Sequence, residues 1–133
     1  MRPCPALPSV HCLARLIAAG LLAMLLAAGP ARAVDPPYQG QLERLASLMG
    51  SLYFLQPLCG FPDINWRRQA AELIDFELPD DDRRARLEGA FNEGYEGFAR
   101  LYRSCTASAR LSMERFLSEG DQIAREIHSR YAE

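Results

Sequence analysis

Lysine is absent from this sequence of 133 residues, so all 15 of its basic residues are arginines. Without lysine, the chain cannot use a lysine nucleophile or form a Schiff base. Histidine is scarce too: His11 falls in an N-terminal leader, which leaves His128 alone in the remainder. One histidine cannot form a multi-histidine metal site, and we expect His128 to lie on the surface near the end of a helix.

The usual catalytic signatures are also missing. The sequence has no Gly-x-Ser-x-Gly, no His-Glu-x-x-His, no phosphate-binding glycine loop and no EF-hand loop. The run Asp80–Asp82 offers carboxylates to calcium, but three consecutive side chains point in different directions and are better suited to capping a helix. We therefore predict no catalytic residue, no cofactor and no metal site.

A single uncharged apolar run, Leu16–Ala28, occupies the N-terminal third. Gly29 and Pro30 follow it, and Ala31-Arg32-Ala33 then supplies the small residues that a signal peptidase reads. This order is typical of a secretory signal peptide, and the run is shorter than the roughly 20 apolar residues that span a bilayer. We predict a signal peptide over residues 1–33, cleavage after Ala33, and a single helical domain over residues 34–133 without a transmembrane span, located in the periplasm or secreted.

Cleavage would leave an acidic domain. Three arginines lie in residues 1–33, so 12 remain against 17 acidic residues and the net charge is about −5. Nucleic-acid binding depends on a basic excess that neutralises phosphates. The charge balance therefore predicts no nucleic-acid partner.

Two of the four cysteines, Cys4 and Cys12, lie in the predicted signal peptide, and Cys59 and Cys105 remain. One cysteine pair in a small exported domain predicts one disulfide. A redox-active pair would usually have Cys-x-x-Cys spacing, which these residues lack. The bridge would close a loop of about 46 residues and stabilise the domain by on the order of 4 kcal/mol.

Apolar residues recur at helical spacing in four segments, and no segment shows the alternation of a strand. The first segment runs from Tyr38 to Gly60, with Arg44, Ser47 and Ser51 expected on its polar face. Asp63 or Asn65 is expected to cap the second segment, which ends at Leu78. Asp80–Asp82 should cap the third, and Thr106 the fourth. We predict an all-α, four-helix bundle-like domain with an up-down-up-down path, which would bring Cys59 and Cys105 to the same end.

Gly94 interrupts the apolar stripe of the third helix. A glycine there costs helix stability, so we expect either a neighbouring backbone or a large ring, with Trp66 as the candidate ring, to pack closely against it.

One group of residues combines aromatic, amide and guanidinium side chains: Trp66, Arg67, Asn92, Tyr95 and Arg103. These residues could form a structural polar network between the second and third helices. The alternative is a groove with Trp and Tyr walls and arginines for an anionic group.

Several short pieces share a pattern with known proteins: Leu58-Cys59-Gly60, Trp66-Arg67, Phe91-Asn92-x-Gly94-Tyr95 and Tyr102-x-x-Cys105-Thr106. Together they resemble a family of small exported alphaproteobacterial proteins of unknown function. The resemblance implies a signal peptide, an envelope location and a paired-cysteine helical domain, and it carries over no activity.

These observations favour a non-catalytic binding or adaptor domain of the cell envelope, with an envelope protein as its partner. One alternative is a small-ligand-binding or stress-related periplasmic protein that uses the region of Trp66 and Tyr95. A second alternative is an envelope hydrolase acting on cell-wall material through helical carboxylates such as Glu72, Glu88 and Glu93.

Overall fold

The computed structural model describes residues 34–60 and 64–131. Within these ranges it contains four α-helices and no strand: α1 (Gln39–Cys59), α2 (Trp66–Phe76), α3 (Asp81–Leu101) and α4 (Ala107–Tyr131). The predicted all-α class and the number of helices are confirmed. The predicted signal peptide lies outside the described residues. None of the four helices combines the length and apolar character needed to cross a membrane.

Side-chain caps begin three of the helices. Oδ1 of Asn65, Oδ1 of Asp80 and Oγ1 of Thr106 each accept a hydrogen bond from the backbone N–H three residues later, at 3.0, 2.7 and 3.1 Å. Such caps satisfy N–H groups that have no partner within the helix. Capping by Asp80 and Thr106 is therefore confirmed, and Asn65 rather than Asp63, which lies outside the described residues, caps α2.

The end of α1 depends on a glycine. Gly60 has φ 71° and ψ 32°, a left-handed conformation that a residue without Cβ adopts at little cost. Its N–H donates to the carbonyl oxygen of Gln56 at 2.9 Å. Pro57 lies inside the last turn of α1, and the helix continues past it to Cys59.

Contacts along the helices give the direction of each one. Near the start of α1, Leu42 packs with Ile74 from the end of α2, Leu87 from the start of α3 and Ile127 from the end of α4. Near the end of α1, a second cluster joins Leu52 and Leu55 to Ala109 and Met113 from the start of α4. Helix α3 is thus parallel to α1, and α2 and α4 are antiparallel to it, as the up-down-up-down prediction requires.

The predicted disulfide is present. Cys59 ends α1 and Cys105 lies in the turn after α3, and their Cα atoms are 4.9 Å apart in the bridged pair. Because α1 and α3 are parallel, their C-terminal ends meet at the same end of the domain. The bridge therefore ties α1 to the turn that connects α3 with α4.

Helix α1 is the centre of the domain and contacts each of the other three helices. A helix in this position has little surface left for the polar outer face predicted for α1. That prediction is correct for Arg44, which is exposed, but wrong for Ser51, which is 3% exposed. The hydroxyl of Ser51 lies 3.0 Å from the carbonyl oxygen of Ser47 and 3.2 Å from that of Gly94 on α3. A small hydroxyl that bonds to backbone can be buried without an unsatisfied polar group.

Glycine allows α1 and α3 to approach closely. A Cβ at Gly94 would lie 1.9 Å from the carbonyl oxygen of Ser47, and a Cβ at Gly50 would lie 1.9 Å from that of Phe91. The backbone alternative for Gly94 is thus confirmed, and the prediction of Trp66 as its neighbour is wrong. Trp66 instead packs against the core cluster formed by α1 and α4.

Candidate functional site

Helix α2 covers α3 only in part. Its buried residues are Ala70 and Ile74, and most of its other side chains are exposed. An open cavity of about 1110 Å³ lies where the start of α2 faces α1 and α3. We call this cavity the crevice. The lining residues that matter for its chemistry are Tyr53, Phe54, Pro57, Arg67, Arg68 and Tyr95.

Four aromatic rings form a continuous row along α1 and α3 beside the crevice. The ring of Tyr53 lies 5.9 Å from that of Phe91 and 5.8 Å from that of Tyr95, and the ring of Phe54 meets Tyr95 edge to face at 5.6 Å. These separations are typical of favourable aromatic pairs. Because the rings support one another, the wall of the crevice is preformed and presents flat apolar surface.

Two arginines at the start of α2 make the rim of the crevice positive. The side chain of Arg67 is exposed and forms no ion pair or hydrogen bond within the part of the chain that the structure describes. The guanidinium of Arg68 lies 3.6 Å from the carboxylate of Glu72, but both side chains are more than 60% exposed. Such an exposed pair contributes little, and the N-terminus of α2 adds positive potential. The rim is therefore suited to an anionic group.

A second cavity of about 360 Å³ continues along α2 and α3 and shares Arg67 with the crevice. Its charges are balanced, because Arg84 lies 2.9 Å from Asp75 and 3.8 Å from Glu88. An anion would compete there with carboxylates already in place. The crevice is therefore the better candidate for recognition of an anionic group.

The five candidate binding residues do not all line the same cavity. Arg67 and Tyr95 both line the crevice, and Asn92 lines the second cavity together with Arg67. Trp66 is partly buried against the core cluster, and Arg103 lies exposed in the turn after α3, lining neither cavity. No side-chain hydrogen bond joins these five residues to one another.

Three residues that line the crevice were not predicted from the sequence: Tyr53, Phe54 and Arg68. Tyr53 and Phe54 interrupt the pair of core leucines, Leu52 and Leu55, and lie to the sides of the main apolar stripe of α1. The sequence feature that could have predicted Tyr53 and Phe54 is the presence of large aromatic residues beside the apolar stripe. Such residues widen the apolar surface of a helix beyond what one helix contact needs.

An ion pair with two hydrogen bonds lies outside the crevice and ties α1 to α4. Nε and Nη2 of Arg44 donate to the two carboxylate oxygens of Glu119 at 2.6 and 2.9 Å. These hydrogen bonds lower the pKa of Glu119, against a smaller opposing effect of burial, and the Arg44 charge adds to the lowering. No cluster of three or more His, Cys, Asp or Glu residues suited to a metal is found in residues 34–60 and 64–131.

Comparison with known families gives one match. The model of a family described as "Protein of unknown function (DUF2385)" matches residues 37–131, a range that contains all four helices and both bridged cysteines. No curated protein and no solved structure matches the chain.

Proposed function

We propose that this chain, which belongs to the DUF2385 family of proteins of unknown function, is an exported, non-catalytic binding or adaptor domain of the bacterial cell envelope. Export is supported by the apolar run Leu16–Ala28 and the small residues that end at Ala33. The Cys59–Cys105 bridge supports it independently, because disulfides persist in oxidising compartments.

The observation that carries the binding role is the crevice, with its preformed aromatic wall and, at its rim, an Arg67 side chain that pairs with no described residue. Tyr53 and Tyr95 offer flat surface for apolar side chains, and Arg67 can bind a carboxylate with two parallel N–H groups. We propose that the occupant is a segment of a protein partner that combines apolar side chains with acidic ones.

The size and shape of the crevice favour a protein segment over a small ligand. Small-molecule sites usually enclose about 300–1,000 Å³ and bury most of the ligand, whereas this cavity is larger, at about 1110 Å³, and open to solvent. A small anionic metabolite with an aromatic group remains the alternative occupant, because Arg67, which has no ion-pair partner in residues 34–60 and 64–131, could hold its anion.

Site-specific photo-cross-linking in the native envelope tests this function. The photoreactive residue p-benzoylphenylalanine replaces Tyr95 in the crevice or, as a control, Glu114 on the exposed surface of α4. We expect one dominant protein adduct from position 95 and none of the same mass from position 114.

A matched pair of charge reversals makes the test specific. Arg67→Glu should abolish the adduct from position 95, whereas Arg103→Glu, which changes an exposed arginine that lines neither cavity, should leave it unchanged. Identical adducts from positions 95 and 114, or an adduct insensitive to Arg67→Glu, would contradict a binding role of the crevice.

A further inference from the structure

Two large apolar side chains extend into solvent at the turn between α2 and α3. Phe76 is 85% exposed and Leu78 is 88% exposed. Single exposed apolar residues are common on protein surfaces, but two nearly fully exposed ones in a three-residue span form a convex apolar feature. We call this feature the Phe76–Leu78 tip.

The turn around the tip is firmly held. The N–H of Leu78 donates to the carbonyl oxygen of Asp75 at 3.2 Å. Arg83, only 8% exposed, binds the carboxylate of Glu77 at 2.6 Å and also donates to the side chain of Gln39 on α1. Glu77 thus points toward the domain while its two neighbours point away.

Leu78 also has φ 45°, a left-handed conformation that is unfavourable for a residue with Cβ. The fixed turn and this backbone conformation show that exposure of the tip is built into the fold. A rigid tip loses little conformational freedom when it binds.

Carboxylates surround the tip. Asp75 precedes it, and Asp80, Asp81 and Asp82 follow it directly at the start of α3. Asp75 and Asp82 have arginine partners, whereas Asp80 and Asp81 form no ion pair with any described residue. The tip therefore combines two apolar side chains with a negative rim.

Apolar side chains with neighbouring carboxylates are the groups that the aromatic wall and positive rim of the crevice are suited to bind. The crevice lies at the other end of α2. Helix α2 has 11 residues, so about 16 Å separates its two ends. The tip of one molecule cannot reach the crevice of the same molecule. A second copy of the chain can present its tip there without such a restriction.

We propose that the exported protein associates head to tail, with the Phe76–Leu78 tip of one copy seated in the crevice of the next. Phe76 and Leu78 contact the aromatic wall, and the acidic rim faces Arg67 and Arg68. This inference rests on the proposed function, because both need the crevice to be a binding site, and it identifies the occupant as the tip of a second copy.

The proposed contact joins two different surfaces, so it does not close on itself in a dimer. Such heterologous contacts extend into rings or open chains. One tip covers less area than a standard protein interface, so the association is weak and reversible. Opposite charges at the rims make it sensitive to salt, because the screening length falls from about 10 Å at 0.1 M to about 3 Å at 1 M ionic strength.

Sedimentation velocity of the processed protein, purified with its disulfide intact, tests the proposal. The average mass should rise with protein concentration at low salt and fall when salt is added. A tip variant, Phe76→Ser with Leu78→Asn, removes the apolar side chains, and asparagine tolerates positive φ. A crevice variant, Arg67→Glu with Arg68→Glu, reverses the rim and places acidic residues favourably at the start of α2, so it should remain folded.

In each variant alone, the dissociation constant for self-association should rise at least about tenfold. This is the change expected when one or two buried apolar groups or rim contacts are removed. A mixture of the two should form a 1:1 heterodimer that grows no further, because only one intact tip and one intact crevice remain. Leu101→Ser, at a position that is 73% exposed but part of neither surface, should leave association unchanged.

A wild-type protein that stays monomeric to about 1 mM, the concentration scale of the weakest specific contacts, would overturn the proposal. So would a mixture of variants that fails to form the heterodimer, or a Leu101→Ser variant as impaired as the tip variant. Capture of a different envelope protein from position 95, together with a monomeric wild type, would overturn head-to-tail association while supporting the binding role of the crevice.

Discussion

Gly94 and Gly97 lie three residues apart on α3, and replacing each by alanine should change stability in opposite directions. At Gly94 a new Cβ would lie 1.9 Å from the carbonyl oxygen of Ser47, whereas at Gly97 it would meet no atom within 4 Å. The substitution, the helix and the gain in helix propensity are the same. Only the distance to α1 differs.

The size of each effect follows from two contributions. Alanine is favoured over glycine inside a helix by about 1 kcal/mol, so Gly97→Ala should raise the free energy of unfolding by about 0.5–1 kcal/mol. At Gly94 the contact must lengthen from 1.9 Å to at least 3.0 Å, and both partners are helix backbone. Overpacking of this kind usually costs about 1–3 kcal/mol and sometimes more, and the loosened α1–α3 contact loses dispersion energy as well.

A backbone clash of this severity belongs at the upper end of that range, so Gly94→Ala should lower the free energy of unfolding by about 2 kcal/mol after the gain in helix propensity is subtracted. For a domain of this size, that corresponds to a fall in Tm of roughly 8–16 °C. Gly50→Ala should behave like Gly94→Ala, since its Cβ would lie 1.9 Å from the carbonyl oxygen of Phe91.

Urea unfolding of the disulfide-bonded protein measures these differences. Trp66 is the only tryptophan and packs against the core, so its fluorescence should report unfolding, with circular dichroism as a second probe. A Gly94→Ala protein as stable as the wild type, or a Gly97→Ala protein destabilised to the same extent, would refute the close approach of α1 and α3.

Three further outcomes are expected. Cys59→Ser should lower the free energy of unfolding by on the order of 4 kcal/mol, with Cys105→Ser nearly equivalent, because the bridge spans a sequence separation of 46 residues; two titratable thiols in the native protein would contradict this. Because Arg44 lowers the folded pKa of Glu119, the pair should stabilise the fold fully above the ordinary glutamate pKa of about 4.3 and lose its effect as pH falls through the lower folded value. Glu119→Gln should thus cost about 0.5–1 kcal/mol at neutral pH for this half-exposed pair and nothing in strong acid, and a pH-independent cost would refute that origin. Leu78→Gly should raise the free energy of unfolding by about 0.5–1 kcal/mol by relieving the left-handed backbone at φ 45°, and a lower Tm would contradict it.

The helices and their caps could be predicted because each depends on local signals. A cap needs only a side chain and a backbone N–H three residues later, as at Asp80 and Thr106. The stretch over which apolar residues recur at helical spacing predicted the extent of each helix. The disulfide pairing could be predicted without knowledge of the fold, because Cys59 and Cys105 are the two cysteines that remain after the predicted cleavage.

The central position of α1 could not be predicted in the same way. Its polar face was expected from Ser47 and Ser51, but a serine that bonds to backbone can also lie in a helix contact. Gly50 and Gly94 belong to different helices, and only their juxtaposition shows that they form one close contact. A single stripe predicts one buried face, whereas α1 is surrounded on several sides.

Only Arg67 and Tyr95 of the five candidate binding residues line the crevice, and the reason lies in helix geometry. Trp66 and Arg67 are adjacent in sequence, but neighbouring residues on an α-helix point about 100° apart, so Trp66 faces the core while Arg67 faces the crevice. Residues four apart share a face, and Phe91 and Tyr95 both contact the ring of Tyr53. The aromatic wall of the crevice could therefore have been predicted from aromatic residues four apart on one helix, and not from unusual residues that are adjacent in sequence.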